Sequence, residues 1–436
     1  MRYCTALLLL ALVLAACAPA PATSSVNGTP NLPASAPTNA PAVVSGDGQT
    51  PAQLCAAALP APSPGNRTFA APEQVLQPGV DYRAIFCTDV GPIYVDLFED
   101  ITPITVNSFV FLAQQGYYNN TTFHRVIQDF MAQGGDPTAS GSGGPGYTFQ
   151  EEFAGFLHYD RPGWLAMART QQPGSNGSQF FITTAAYASL DYQYTLFGEV
   201  LEGQENVRSI RLRDPQTDPN PGTALNTVLI ISDPASVATT YVAPTPATRD
   251  EVLAAINTVS ANVPVEAALD ISASAQTRDE ALTAAPESVR AAYGAFLDTH
   301  NFAYRVTSTM DNATCNLDNA GFMVARYTLD AFATREDAQA ALADSFLPTL
   351  AAALGTPNAS TPATLRGPLY TGASSACDRN ASHALTFYRY GRFLITLEVT
   401  IPADSSATPD QWLSQLIGIL FERALSDVLR REVRAA

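Results

Sequence analysis

From Tyr82 onward the chain is written in short apolar runs, each broken within a few residues by Gly, Pro, Asn or Asp. "YRAIFCTDVGPIYVDLF" (Tyr82–Phe98) sets the pattern. No helix keeps one apolar face through such frequent breaks, whereas short half-buried strands do, so the spacing predicts an all-β domain with many strands. "TPITVNSFVFLAQQG" (Thr102–Gly116) interrupts it. Val106, Phe109, Val110 and Ala113 fall on one helical face there, and Gly116 suits the end of a helix. A second helix is expected over Gly203–Leu212, and "NTVLIISDP" (Asn226–Pro234) reads as a closing strand. "FHRVIQDFMAQGGDP" (Phe123–Pro137) reads as a buried strand carrying Phe123, Val126, Ile127, Phe130 and Met131. Arg125 sits inside that run, and Gln133 precedes a Gly-Gly turn. A lone arginine in such a run is ordinarily a solvent-facing charge.

Beyond "PASVATTYVAPTPA" (Pro234–Ala247), a linker by composition, the character changes. Thr248 with Glu251, and Thr277 with Glu280, are capping boxes before helical runs. Thr334 with Asp337 starts a helix expected to reach about Leu354. "FMVARYTLDAF" (Phe322–Phe332) reads as a strand, and His383–Ile401 as two strands around a turn at Tyr390–Arg392. A last helix runs from Asp410 to about Arg431 with Trp412, Leu416, Ile419, Leu420 and Leu429. This part is therefore α+β. His300 and His383 lack metal-ligand spacing. Tyr388, Tyr390 and Phe393 are read as strand residues packing on helices, with a binding face as the alternative.

The N-terminus opens with Arg2 and an apolar core, "ALLLLALVLAA" (Ala6–Ala16), too short for an ordinary spanning helix and suited to a signal peptide. It ends in "LAAC" (Leu14–Cys17), small residues before a cysteine, which resembles a bacterial lipobox. An ordinary signal peptide cleaved nearby is the plainer alternative. No later stretch is long and apolar enough to span a membrane. Residues 18–66 are rich in Pro, Ala, Ser, Thr and Asn, the composition of an extended tether. With Cys4 in the signal and Cys17 lipidated, Cys55, Cys87, Cys315 and Cys377 remain, an even number in an oxidising compartment. Pairing by region gives Cys55–Cys87 and Cys315–Cys377, one of three connectivities. No CxxC occurs, which speaks against zinc and against thioredoxin-like chemistry. Formal net charge is −17, and all 23 basic residues are arginine. That balance excludes nucleic-acid binding through a basic surface. The 436 residues thus divide into signal peptide 1–16, lipidated cysteine and tether 17–75, a β-rich domain 76–235, linker 236–247 and an α+β domain 248–436.

The β-rich part carries a recognisable set. "FHRVI" and "MAQGGDP" are followed by the glycine-rich "GSGGPGYTFQEEF" (Gly141–Phe153), "RPGWLAMART" (Arg161–Thr170), "GSNGSQFFIT" (Gly174–Thr183) and "LDYQYTLFGEV" (Leu190–Val200). In order and spacing these resemble the cyclophilin family of peptidyl-prolyl cis–trans isomerases over about residues 80–234. The resemblance implies an all-β closed eight-stranded antiparallel barrel with two helices, followed here by a separate α+β domain. It implies that Arg125 is the catalytic arginine, working with Gln133. Phe130, Met131, Phe181 and Leu190 would form a proline pocket, with Tyr194 nearby. Gln133 and Gln179 would position the substrate backbone, and Ala168 and Arg169 would act mainly through backbone contacts. No cofactor or metal is implied. His124 matches a structural histidine, Asp136 and Asp191 are read as turn-formers, and Glu151 and Glu152 as a solvated face. His158 and Asp160 have no partner legible in the sequence.

Three departures stand out. Ser189 and Tyr194 stand where many eukaryotic members have tryptophan and histidine, which puts tight ciclosporin binding in doubt. Arg169 replaces a common asparagine, which implies altered peptide preference. Cys87 looks like an addition whose link to Cys55 would pin the preceding segment to the barrel. The expected function is isomerisation of proline-containing polypeptides, assisting exported proteins at the envelope of a bacterial cell, in a lipid-anchored, extracytoplasmic monomer. A non-catalytic peptide-binding module, or a scaffold whose role is set by residues 248–436, is the alternative.

Overall fold

The computed structural model describes residues 43–263, 269–315, 317, 321–358, 365–414 and 419–434. The expected signal peptide, Cys17, the first part of the tether and Leu416 lie outside them. Among the described residues no helix is long and apolar enough to cross a membrane.

The first sheet is built from β1 (Arg83–Thr88), β2 (Gly91–Leu97), β3 (Thr121–Thr122), β4 (Arg125–Ile127), β5 (Met131–Gly134), β6 (Trp164–Met167), β7 (Phe180–Thr183), β8 (Leu196–Glu202) and β9 (Ala224–Ile231). Its order is β3-β9-β1-β2-β8-β6-β7-β5-β4, with every pair antiparallel. This corrects the expected closed eight-stranded barrel: the ladder is a curled sheet of nine strands with β3 and β4 at its two ends. The cause is local. The run expected as one strand (Phe123–Pro137) begins just after β3, which pairs with β9, and its first strand residues, β4, pair with β5. It then turns at Gln128–Phe130, where Asp129 has φ +53°, before β5 begins.

Helix α2 (Pro103–Gln114) lies within the curl and ends, as the spacing predicts, at Gly116 with φ +66°. Its Phe109 meets Phe86, Tyr118, Phe180 and Phe197 ring to ring. The helix is buried nearly all round because the preceding segment covers its other side. Phe69 sits edge-on to Phe111 at 5.2 Å, and Asn107 accepts the amides of Val75 and Leu76. The stretch read as tether is therefore folded onto the sheet from Val44, whose amide donates to Ile230. Helix α1 (Pro51–Ala58) carries a Thr50/Gln53 capping box, and Cys55 is bonded to Cys87 on β1. The second expected helix is the shorter α3 (Gln204–Ser209).

The second sheet contains β10 (Asp270–Gln276), β11 (Phe302–Asp311), β12 (Val324–Phe332), β13 (Thr356–Pro357), β14 (Leu369–Ala376), β15 (Arg379–Tyr390) and β16 (Phe393–Pro402), ordered β10-β11-β12-β16-β15-β14-β13. The two long strands around Tyr390–Arg392 are as the sequence predicts. Period-2 alternation gives this sheet two apolar faces. Tyr327, Leu329, Ile395, Leu397, Tyr388 and Tyr390 lie on one, with α4 (Arg249–Asn257), and Phe332, Leu385, Phe387 and Leu394 lie on the other. The second face is covered by α6 (Glu287–Thr299), α7 (Arg335–Ala343) and α8 (Phe346–Leu354), while α5 (Arg278–Ala284) packs on α6 and β11. All three capping boxes form. The expected single helix from Thr334 breaks into α7 and α8 at Asp344, which turns extended and bonds His300 Nε2 at 2.8 Å. The last helix is likewise divided; its described parts include α9 (Ile419–Ala424) and α10 (Ser426–Arg434). Cys315 pairs with Cys377.

The α+β part is not separate. One apolar cluster runs through Phe98, Ile101, Phe156 and Trp164 of the first sheet region into Tyr327, Tyr390, Phe421 and Leu429. Arg335 pairs with Glu99 and with Asp100 at 2.6 Å, and Arg389 reaches Asp100 at 2.5 Å. The expected linker is docked as well: Glu202 accepts hydrogen bonds from Thr239, Thr240 and Tyr241, and Ala247 is buried.

Candidate active site

Strand register builds the site. Val126, Ala132, Ile182 and Leu165 are successive cross-strand partners on β4, β5, β7 and β6, and all four are buried in the core inside the curl. One residue along, the alternation reverses the face. Arg125, Gln133, Phe181 and Ala166 therefore form a parallel row on the outer face of the sheet, the first two partly exposed and the last two buried. A lone arginine in an apolar run is here the outward member of an alternating strand, placed beside a glutamine and a phenylalanine.

The polar half of the row is a chain of oriented amides. Gln179 Nε2 donates to the carbonyls of Gly141 at 3.0 Å and Gly143 at 2.9 Å. Its Oε1 accepts from Gln133 Nε2 at 2.9 Å, and Gln133 Oε1 accepts from Arg125 Nη1 at 3.3 Å. The apolar half contains Met131, Phe181 and Leu190, all buried, with the partly exposed Phe130 and Tyr194 at the rim. Tyr194 stands edge-on to Phe181 at 5.8 Å. Gln133 also borders a surface cavity of about 720 Å3 lined by the Gly141–Thr148 loop, Ala168, Arg169 and Gln179. Arg125 borders a second, of about 630 Å3, with Ile127, Leu212, Arg213 and Asp218. The polar end of the row thus borders two surface cavities, Arg125 one and Gln133 the other, and its apolar end continues into buried side chains.

The remaining expected residues fall as follows. The Ala168 amide donates to Gln179 O at 2.9 Å. The Arg169 side chain folds back on the protein: it donates to Gln193 O at 2.7 Å, pairs with Glu151 at 3.2 Å and covers the Tyr194 ring. His124 is fully buried, and burial holds its imidazole below the usual range, consistent with a structural role. Asp136 is a turn-former. Against the upward push of burial, hydrogen bonds from Thr138 and from the amides of Gly143 and Gly141 hold its carboxyl low. Asp191, read as a turn-former, instead bridges two loops, accepting from the Tyr159 amide at 2.8 Å and facing His158 at 3.2 Å.

Glu151 and Glu152 are not a solvated face. Glu151 accepts the Gly174 amide, and Glu152 accepts the amides of Ile104 and Thr105 at the start of α2, where a helix leaves its N–H groups unpaired. Burial nonetheless raises the Glu152 pKa. Tyr388, Tyr390 and Phe393 are buried, as packing residues. Sequence reasoning missed Tyr159, whose ring stacks on Phe181 at 6.1 Å, and Tyr187, which meets Phe130 at 4.5 Å. Nothing in the local pattern marks either. Asp160 pairs with Arg161 and Arg430.

The family model for cyclophilin-type peptidyl-prolyl cis-trans isomerase/CLD matches residues 84–230, the span of the first sheet. The peptidyl-prolyl cis-trans isomerase CYP57 of Arabidopsis thaliana is 43% identical over 146 residues, 33% of this chain and 29% of that protein. The chain thus spans well under half of that relative's length. CYP18-2 of the same plant is 43% identical over 134 residues, 30% of this chain and 80% of that protein. The probable peptidyl-prolyl cis-trans isomerase A of Mycobacterium bovis is 46% identical over 132 residues, 27% and 72% of the two chains. With most of two such proteins covered at this identity, and with Arg125, Gln133 and Phe181 aligned in one row on the sheet that the match spans, the chain belongs to the cyclophilin-type peptidyl-prolyl cis-trans isomerases.

Proposed function

We propose that this isomerase works outside the cytoplasm, tethered to a bacterial membrane by lipid at Cys17, on proline-containing segments of exported polypeptides. The observation that carries the catalytic part is the row Arg125–Gln133–Phe181, a fixed cation beside an apolar floor. An X–Pro bond rotates over a barrier of about 18–20 kcal/mol because its amide is conjugated. Twisting breaks the conjugation and leaves a more basic, pyramidal proline nitrogen. A guanidinium held in place donates to that nitrogen only in the twisted state, so it stabilises the transition state more than either ground state. One charge-assisted hydrogen bond supplies roughly 1.5–3 kcal/mol. The remainder comes from desolvating the proline ring on Phe130, Met131, Phe181 and Leu190 while Gln133 and Gln179 hold the backbone. The step needs no nucleophile, metal or proton transfer.

Two features support the extracytoplasmic reading. Cys17 follows an apolar core and small residues, and the four later cysteines stand in two disulfides, which persist in oxidising compartments. The test is cis–trans exchange of an X–Pro peptide by NMR exchange spectroscopy, with the full-length chain and its Arg125→Ala variant. The expected result is acceleration by the parent and a loss of about 10- to 150-fold in kcat/KM in a folded variant. Equal rates in the two would remove Arg125 from the mechanism. Cell fractionation of Cys17→Ala checks the anchor: a protein that stays membrane-bound would refute it.

A further inference from the structure

The loop that presents Leu190 and Tyr194 turns at Tyr192, whose φ is +57°. The left-handed region is disfavoured for a residue with a Cβ, and such a conformation persists only where its surroundings hold it. Those surroundings come from a neighbouring loop and from the second sheet's domain. The Tyr192 hydroxyl donates to Gly155 O and accepts from Arg423 Nε, both at 3.1 Å, and the Arg423 guanidinium lies over the same ring. The next residue inward, Glu422, accepts the Gly155 amide on Oε2 at 2.6 Å. Its other oxygen accepts from the hydroxyls of Tyr390 at 2.8 Å and Tyr388 at 3.2 Å. Adjacent residues of α9 therefore grip Gly155 on one loop and Tyr192 on another.

Those two loops are also tied to each other and to the pocket. The Tyr159 amide donates to Asp191, its hydroxyl donates to Tyr194 O at 3.3 Å, and its ring backs Phe181. Phe156, on the same loop, meets Tyr390 at 4.9 Å. Resting on the isomerase reading above, we infer that Glu422 and Arg423 are positioning residues of the proline pocket. Through Tyr192 and Gly155 they set where Leu190, Tyr194 and the backing of Phe181 stand, so the second domain tunes peptide binding without touching substrate.

The test uses the full-length chain with Arg423→Ala, Tyr192→Phe, Arg423→Lys and Glu422→Gln, each checked for unchanged melting. KM and kcat are read from NMR exchange of an Ala-Pro-containing peptide, and Kd from titration of the same peptide. Arg423→Ala and Tyr192→Phe raise KM and Kd about three- to tenfold with kcat within about twofold, and Arg423→Lys, which keeps a donor, restores most of the affinity. Glu422→Gln shifts in the same direction. Should it fail to fold, the two surface variants still decide. KM and Kd unchanged in Arg423→Ala and Tyr192→Phe would overturn the inference while leaving the isomerase reading intact. A parent that binds peptide without isomerising it would overturn that reading alone, since the Kd shifts remain readable. A parent that does neither overturns both.

Discussion

Gln133→Leu is the substitution that most directly probes how Arg125 is aimed. Both N–H groups of the Gln179 amide are spent on the carbonyls of Gly141 and Gly143, so its oxygen must face Gln133. Gln133 then presents its own oxygen to Arg125. Flipping either amide would set donor against donor or acceptor against acceptor. The backbone of the glycine-rich loop thus fixes, through two side chains, the orientation of a guanidinium two strands away. Leucine keeps the approximate volume of Gln133 and removes both contacts. The lost bond has a charged donor and a neutral acceptor, is 3.3 Å long and is partly solvated, which places it at about 1–2 kcal/mol. If it is felt fully in the transition state, kcat/KM falls about 5- to 30-fold. Gln179→Leu, one step removed, costs about two- to fivefold. The discriminating measurement is a double-mutant cycle with Arg125→Ala, each rate taken from NMR exchange of the same X–Pro peptide. In the Arg125→Ala background Gln133→Leu costs several-fold less than in the parent, because only its hold on the substrate backbone remains to be lost. An equal loss in both backgrounds would refute the relay and leave Gln133 acting on substrate alone.

Two further predictions concern stability. Replacing both cysteines of the Cys55–Cys87 bridge, which spans 32 residues, lowers unfolding free energy by about 3–4 kcal/mol in urea titration, and a midpoint unchanged from the parent would show that the segment before β1 is held by packing alone. Burial, with Asp81 alongside, raises the Asp96 carboxyl to about 8 against the pull of Arg83 at 3.5 Å. An unfolded aspartate titrates near about 3.9, so between those values the native state holds a proton that the unfolded chain does not. This contribution is complete below the unfolded pKa and is lost as pH rises through the folded one, at about 1.4 kcal/mol per unit. Asp96→Asn therefore flattens the decline from pH 5 to 7 in parallel urea titrations, and parallel declines in parent and variant would sink the assignment.

What the sequence makes legible is whatever depends on alternation and on local caps. The strands around Tyr82–Phe98, the helix ending at Gly116 and the three Thr-x-x-acid capping boxes all form, because each rests on neighbours a few residues away. Arg125 and Gln133 were legible only through resemblance; their pairing is a matter of register across a turn. Most of the errors involve partners distant in sequence. The run Phe123–Pro137 reads as one strand, yet it folds back at Gln128–Phe130 so that its two halves, β4 and β5, pair with each other. Thr334–Leu354 has helical composition throughout, yet Asp344 ends α7, one carboxylate oxygen accepting the Phe346 amide of α8 and the other meeting His300 on another element. Glu151 and Glu152 read as solvated because their partners, Gly174 and the first turn of α2, are distant in sequence. Residues before 66 read as tether because what they pack on is distant in sequence: Leu54 and Cys55 sit against Ile85, Tyr94 and Leu229.

The same blindness explains why residues 248–434 look like a second bead on a string and are not one. Glu99 is buried, and its carboxyl is held well above the usual range by burial, with Arg335 of α7 opposing that shift. Asp100 is shared between Arg335 and Arg389. Arg366 donates to Ile101 O at 2.8 Å, and Ser426 donates to Phe156 O at 2.8 Å. These groups sit around an apolar cluster that no single sheet closes. Buried polar groups left without partners cost roughly 1–3 kcal/mol each, more when charged. The first sheet deprived of its neighbour would therefore expose Phe98, Ile101 and Phe156 and strand Glu99 at once. An enzyme whose pocket is backed by that same cluster, through Tyr159 and Trp164, inherits the condition of its second domain. Met131, Phe181 and Leu190 belong to the same cluster as Tyr327, Tyr390 and Phe421, so unpacking the second domain is expected to reach the pocket's side chains.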